Sequence, residues 1–259
     1  MRGATVYGRL LLAATAAMLQ SFSLAHAQSP DVPKHLAIAR ELVDNIKPEN
    51  NHYVLGGRFI SLPGDKSSGG YAMKADCSGF LLAMFERAHY PTQSAMGFLS
   101  EAKKRKRPAA EDFVYSIENE EGFKRIRRVA DIKPGDLIAH AMLNAEDRKE
   151  TGTTGHVFLV NSAPKQIASW NPVVEGTTQY EVSMIDSNNE HLGADDSRLA
   201  NRVQGLGKGT IRIYADAKGE LVGWARTFKF SKFFSYDARF PSYTKARKAT
   251  IGRPLAAAS

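Results

Sequence analysis

Apolar positions first recur at helical spacing over residues 32–47, where Leu36, Ile38, Ala39, Leu42, Val43 and Ile46 share one face. Pro48 ends that predicted helix. Residues 50–57 form a turn-rich entry to a short extended piece. The stretch 61–75, with Pro63-Gly64-Asp65 and Ser67-Ser68-Gly69-Gly70, reads as loop. A compact second helix is predicted next: Asp76 suits its N-cap, and Phe80, Leu81, Met84, Phe85 and Ala88 make an apolar stripe behind it. From about 91 to 130 the chain is polar and highly charged, with helical stretches expected but no clear core face. Pro134-Gly135 turns into the apolar run Leu137-Ile138-Ala139, and residues 157–160 are continuously apolar, as in a strand buried on both faces. Residues 180–185 alternate as a further strand, and Asp216-Ala217-Lys218-Gly219 separates two apolar stretches as a hairpin turn. Gly205-Leu206-Gly207-Lys208-Gly209 is followed by no helix, so it reads as a turn and not as a phosphate loop. Helices first and strands afterwards predict an α+β fold, with N-terminal helices packed on an antiparallel sheet.

Composition narrows the class. A chain of 259 residues that is 43% apolar is globular, with room for one large domain or two small ones. Arg2 and Arg9 precede a short apolar run, and Ala25-His26-Ala27 has the small-x-small form of a cleavage site, so residues 1–27 read as a secretory signal peptide. The remainder, 28–259, is expected as one exported domain, periplasmic or secreted. Losing Arg2 and Arg9 lowers the formal net charge of +8 by two. The surplus concentrates in Lys103-Lys104-Arg105-Lys106-Arg107 and in the tail from about 236. Export argues against nucleic acid as the partner. A solvated helix face accounts for the 103–107 run, and weak, salt-screened attraction to an anionic wall or membrane surface is the sharper alternative.

Cys77 is the single cysteine, which excludes an internal disulfide and a cysteine-rich metal site. Placed first in a helix capped by Asp76, its thiolate would face unpaired backbone amides and the positive end of the helix dipole. Gly79 leaves room for a substrate backbone. The alternative is an inert buried cysteine. A thiol nucleophile needs a base and the base an orienting partner. His156 opens the 157–160 strand directly after Thr151-Gly152-Thr153-Thr154-Gly155, and Asp186 ends the next strand, so strand pairing would bring the two together. A structural histidine and an Asx-turn aspartate, the latter before Ser187-Asn188-Asn189, are the competing readings. His191, Asp195 and Asp196 have no metal-ligand spacing and read as surface polarity. No metal or cofactor is expected.

The segment Asp76-Cys77-Ser78-Gly79-Phe80 resembles the nucleophile motif of the NlpC-type papain-like cell-wall peptidases. Tyr53-Val54-Leu55-Gly56-Gly57 is similar to that family's tyrosine–glycine–glycine motif. Pro134-Gly135-Asp136-Leu137-Ile138 resembles the strand before the histidine, and Gly155-His156-Val157 the histidine motif. The likeness covers about residues 33–190 in outline and rests on the four pieces occurring in order. It implies a papain-like fold with Cys77 as nucleophile, His156 as base, and Tyr53 near the developing oxyanion, in a substrate-binding rim that includes Asp76 and Ser78. It further implies hydrolysis of amide bonds in peptidoglycan peptide stems, often next to D-glutamate. Two features depart from the pattern. The interval from Cys77 to His156 is long, as though 91–130 were an insertion. The usual position of the third polar residue holds only Ala168 and Ser169, which leaves Asp186 as the candidate, reached over an additional loop at about 163–178. The rival reading is a catalytically inactive exported module of the same fold that binds or scaffolds wall peptides. A transglutaminase-like fold shares the Cys, His, Asp order but not the glycine-flanked motifs around Tyr53 and Asp136.

Overall fold

The computed structural model describes residues 32–66, 69–91, 107–240 and 247–255. The expected signal peptide and residues 103–106 of the basic run lie outside them. Helix α1 (Lys34–Asn45) leads to three short strands, β1 (Asn51–Tyr53), β2 (Arg58–Ser61) and β3 (Ala72–Ala75), which form a small sheet in the order β1-β3-β2. The end of the stretch read as loop is therefore a strand: its turn residues are real, but Ala72–Ala75 pairs with both β1 and β2. Helix α2 (Cys77–Ala88) follows at once. Every residue from Cys77 to Phe85 is buried, so α2 is enclosed on all sides and not striped. It packs against α1, β2, β3 and two strands of the main sheet.

Helix α3 (Ala110–Glu118) corrects the expectation that 91–130 lacks a core face. Phe113 and Ile117 are fully buried, and Phe113 meets Phe85 and Phe123 at ring separations of 6.5 and 6.4 Å. The charged residues around them mask a short amphipathic helix, whose Asp112 accepts the Ala109 amide at 2.8 Å.

The main sheet comprises β4 (Phe123–Ile126), β5 (Leu137–Met142), β6 (Gly155–Val160), β7 (Lys165–Gln166), β8 (Thr178–Asn188), β9 (Gly205–Ala215), β10 (Leu221–Arg226), β11 (Phe234–Ser235) and β12 (Arg247–Pro254). Helix α4 (Ala145–Thr151) lies between β5 and β6. The strand order is β11-β10-β9-β8-β6-β5-β12-β4, with β7 beside β8, and all pairings in it are antiparallel. The protein is thus α+β. Alternate residues of β5 and β6 serve two apolar layers: Leu137, Ala139, Val157 and Leu159 face the helices, while Ile138, Phe158 and Val160 join Met184, Ile211, Ile213 and Trp224 on the far side.

Two further expectations are corrected. The glycine-rich segment at 205–209 is the start of β9, not a turn. A Cβ at Gly207 would lie 2.3 Å from the Arg198 side chain, so glycine there admits a buried guanidinium beside the strand. The basic tail is not simply surface, because β12 is an interior strand between β5 and β4. Arg253 on it donates at 2.8 Å to both oxygens of the buried Asp136.

Candidate active site

Asp76 caps α2 as its sequence position suggests, with Oδ1 accepting the Gly79 amide at 2.8 Å, and so sets Cys77 at the first helical position. The other carboxylate oxygen accepts the Gly56 amide at 2.8 Å, and Ser78 Oγ donates to Oδ1 at 3.0 Å. Arg107 completes the cluster: it is ion-paired with Asp76, and donates to Ser78 Oγ at 2.7 Å and to the Gly56 carbonyl at 3.1 Å. The last residue of the basic run is therefore pinned behind the nucleophile, in contrast to the solvated face expected of that run. The polar groups of Asp76 and Ser78 are engaged in this network, which fixes the Tyr53–Gly57 loop against the helix. The room behind Gly79 is occupied by protein and not left for substrate, since a Cβ there would sit 2.0 Å from the Gly57 carbonyl oxygen.

His156 and Asp186 are brought together. Ladder pairing between β6 and β8 is confined to Leu159 with Ile185 and Val160 with Met184. Past it, side chains span the two strands: His156 Nε2–H donates to Asp186 Oδ2 at 2.8 Å. Asp186 lies within β8, not at its end, so it is no Asx-turn residue. Cys77 lies near enough to act on the His156 imidazole, whose bond to Asp186 through Nε2 leaves Nδ1 as the remaining ring nitrogen. Burial opposes charge on this imidazole. The Cys77 charge, the hydrogen bond to Asp186, the nearby Cys77 side chain and the Asp186 charge outweigh burial and raise its pKa to about 10. For Asp186 burial would raise the pKa, but Arg198 foremost, then His156 and Asn188, hold it below the usual carboxylate range.

Arg198 carried no signal in the sequence. It is 1% exposed and donates to Asp186 Oδ1 at 3.0 Å, to both oxygens of Asp196 at 2.9 and 2.6 Å, and to the Gly205 carbonyl at 2.8 Å. Asp196 is consequently buried, not surface polarity, and Asp195 is bonded to Thr210. Among the described residues no group of His, Cys, Asp or Glu is arranged to hold a metal ion.

Cys77 and His156 sit where two cavities meet. The smaller, about 230 Å³, is lined by Cys77, Arg107 and Ala110; the larger, about 350 Å³, by His156, His140, Trp224 and Arg247. Tyr53, Leu55, Thr153 and Gly155 line both. Burial first, then the charges of Cys77 and Asp76, raise the Tyr53 pKa to about 12 against an opposing effect of Arg107, so its hydroxyl stays a donor. His140, opposite His156 on β5, is held well below its ordinary pKa by burial and then by the charges of His156 and Arg247. Its Nδ1 is 3.1 Å from the Tyr236 hydroxyl.

The fold and site define an α+β protein in which a cysteine, a histidine and an aspartate converge at the junction of two clefts. No family model matches the chain, and no solved structure matches it. It is 31% identical over 162 residues to "Uncharacterized protein R653" of Acanthamoeba polyphaga mimivirus, spanning 60% of this chain and 69% of the viral protein. The chain belongs to the same family as that protein.

Proposed function

We propose that the protein is an exported cysteine hydrolase of papain-like fold that cleaves amide bonds in peptidoglycan stem peptides. One observation carries the catalytic part: the Cys77 thiol, at the first position of α2, lies near an imidazole that Asp186 holds through Nε2 at 2.8 Å. The thiolate–imidazolium pair is the activated form of such a nucleophile. Cys77 Sγ attacks the scissile carbonyl. The oxyanion is met by the Tyr53 hydroxyl and the Cys77 backbone amide. His156 then gives its proton to the departing amine, leaving a thioester on Cys77. In the second half His156 removes a proton from water, the resulting hydroxide attacks the thioester, and the acid leaves as Sγ is restored. Asp186 keeps Nε2 protonated and so leaves Nδ1 to exchange the proton with the sulfur.

The substrate class is supported by the four motifs around Tyr53, Cys77, Asp136 and His156 and by the expected export signal. No helix among the described residues is long and apolar enough to cross a membrane. Digestion of purified peptidoglycan, followed by mass spectrometry, tests the proposal. The active protein releases new stem fragments and the Cys77→Ala variant releases none. Identical fragment profiles from the two proteins would remove the hydrolase reading and favour a binding module of the same fold.

A further inference from the structure

Arg247 opens β12 and lines the larger cleft beside His140, His156, Trp224 and Phe234. Its guanidinium carbon is 5.4 Å from the Phe234 ring centroid, and its Nε and Nη1 are shut off from solvent without a hydrogen-bond acceptor. Trp224 stacks on Phe234 with centroids 4.7 Å apart, and its Nε1 is likewise buried without an acceptor. Arg226, the other cation of this wall, differs: it is ion-paired with Glu190 and donates to the His191 carbonyl at 2.9 Å. Burial lowers the Arg247 pKa against the opposing charges of Tyr236, Asp147 and Glu190, and neither carboxylate accepts from its Nε or Nη1.

A guanidinium carries five donors, no acceptor, and its charge at all ordinary pH. Donors buried without partners are rare in folded proteins and costly when they occur. Two such residues on one wall of the cleft that His156 also lines are complementary to a planar anion that accepts from a forked donor. The cavity volume of about 350 Å³ admits a short peptide segment.

We infer that Arg247 is the specificity-determining residue of this cleft and binds a carboxylate of the peptide substrate on the Trp224 side of the scissile amide. The inference deepens the hydrolase reading by naming what the larger cleft selects, but its binding component stands independently of turnover.

The probes are two synthetic stem peptides that differ in one group, the glutamyl α-carboxylate, free in one and converted to a carboxamide in the other. Affinity is measured by calorimetry on Cys77→Ala protein, and turnover by chromatography on active protein. The acid binds, and is cleaved, about 10–100-fold better than the amide, as expected for a charge-assisted hydrogen bond. Arg247→Met, introduced alongside Cys77→Ala, brings that ratio close to one. Arg247→Lys keeps the charge without the planar fork and lowers the ratio without abolishing it, so the test survives should the methionine variant fail to fold. Equal affinity for acid and amide, discrimination that persists in Arg247→Met, or no binding of either peptide at millimolar concentration would overturn the inference. Discrimination in Cys77→Ala without hydrolysis of either peptide by active protein would instead leave the carboxylate site standing and remove the hydrolase.

Discussion

Asp186 is held from two sides, by the His156 imidazole and the Arg198 guanidinium, in a site with no solvent exposure. Replacing it with Asn removes the charge that favours the imidazolium and leaves Arg198 with only one carboxylate. Breaking a buried pair by deleting one partner costs about 3–5 kcal/mol, and Arg198's remaining bonds to Asp196 place Asp186→Asn at the lower end of that range. The pH dependence follows from the two shifts. Asp186 has a lowered pKa when folded, so its contribution is present above the unfolded value of about 3.9 and is lost as pH falls through the lower folded value. His156 has a raised one, so its contribution is complete below about 6.5 and fades as pH rises through about 10. Urea midpoints measured from pH 3 to pH 10 should therefore fall at both ends, and Asp186→Asn should flatten the acid side. A parallel acid limb in variant and parent would refute the assignment. Tyr53 offers a cleaner kinetic test. Tyr53→Phe should lower kcat about 100-fold, the usual effect of losing one oxyanion donor, with KM little changed; an unaltered kcat would show that its hydroxyl does not meet the reacting oxygen.

At the scale of elements, the start of α2 was legible because capping is local chemistry: an aspartate three residues before the amide it accepts is visible in the chain itself. What α2 touches was not legible. Gly79 is needed where the helix crosses the Gly57 carbonyl, a contact between residues 22 positions apart in the sequence. Gly79→Ala should force the Tyr53–Gly57 loop off the helix, costing about 1–3 kcal/mol by overpacking. It should lower activity more than Ala substitutions elsewhere in α2 of equal thermal cost. Thermal denaturation alongside turnover separates the two effects, and a variant with parent-like activity would show that the close approach does not position the site. Arg107 teaches a similar lesson. Five consecutive positive residues read as a solvated run, yet the last of them leaves the run to satisfy a buried carboxylate. The core face of helix α3 was missed for a related reason: its apolar residues are few, but they fall on one face and meet the aromatic cluster around Phe85.

For the whole molecule, the decisive feature is the position of the last strand. Residues 247–254 lie between β5 and β4, so the chain cannot complete its sheet until its C-terminal segment is in place. Truncation before Arg247 should leave a protein without cooperative unfolding by circular dichroism; a truncated form with a sharp transition would contradict this. The same strand brings Arg247 to the cleft and Arg253 to Asp136, joining the candidate site and the core to a stretch whose sequence reads only as a basic tail. The sequence by itself determined the class of fold, the helices α1 and α2, the strands β5, β6 and β8, and Cys77, His156 and Asp186 as candidates, because periodicity, capping and residue chemistry are encoded over a few neighbouring positions. Only the tertiary structure decided that His156 and Asp186 meet beyond the β6–β8 ladder, that Arg198 and Arg107 neutralise buried carboxylates, and that Arg247 lines the cleft with Nε and Nη1 buried without an acceptor. These depend on contacts between segments distant along the chain, where burial, and not local pattern, dictates which charges must meet.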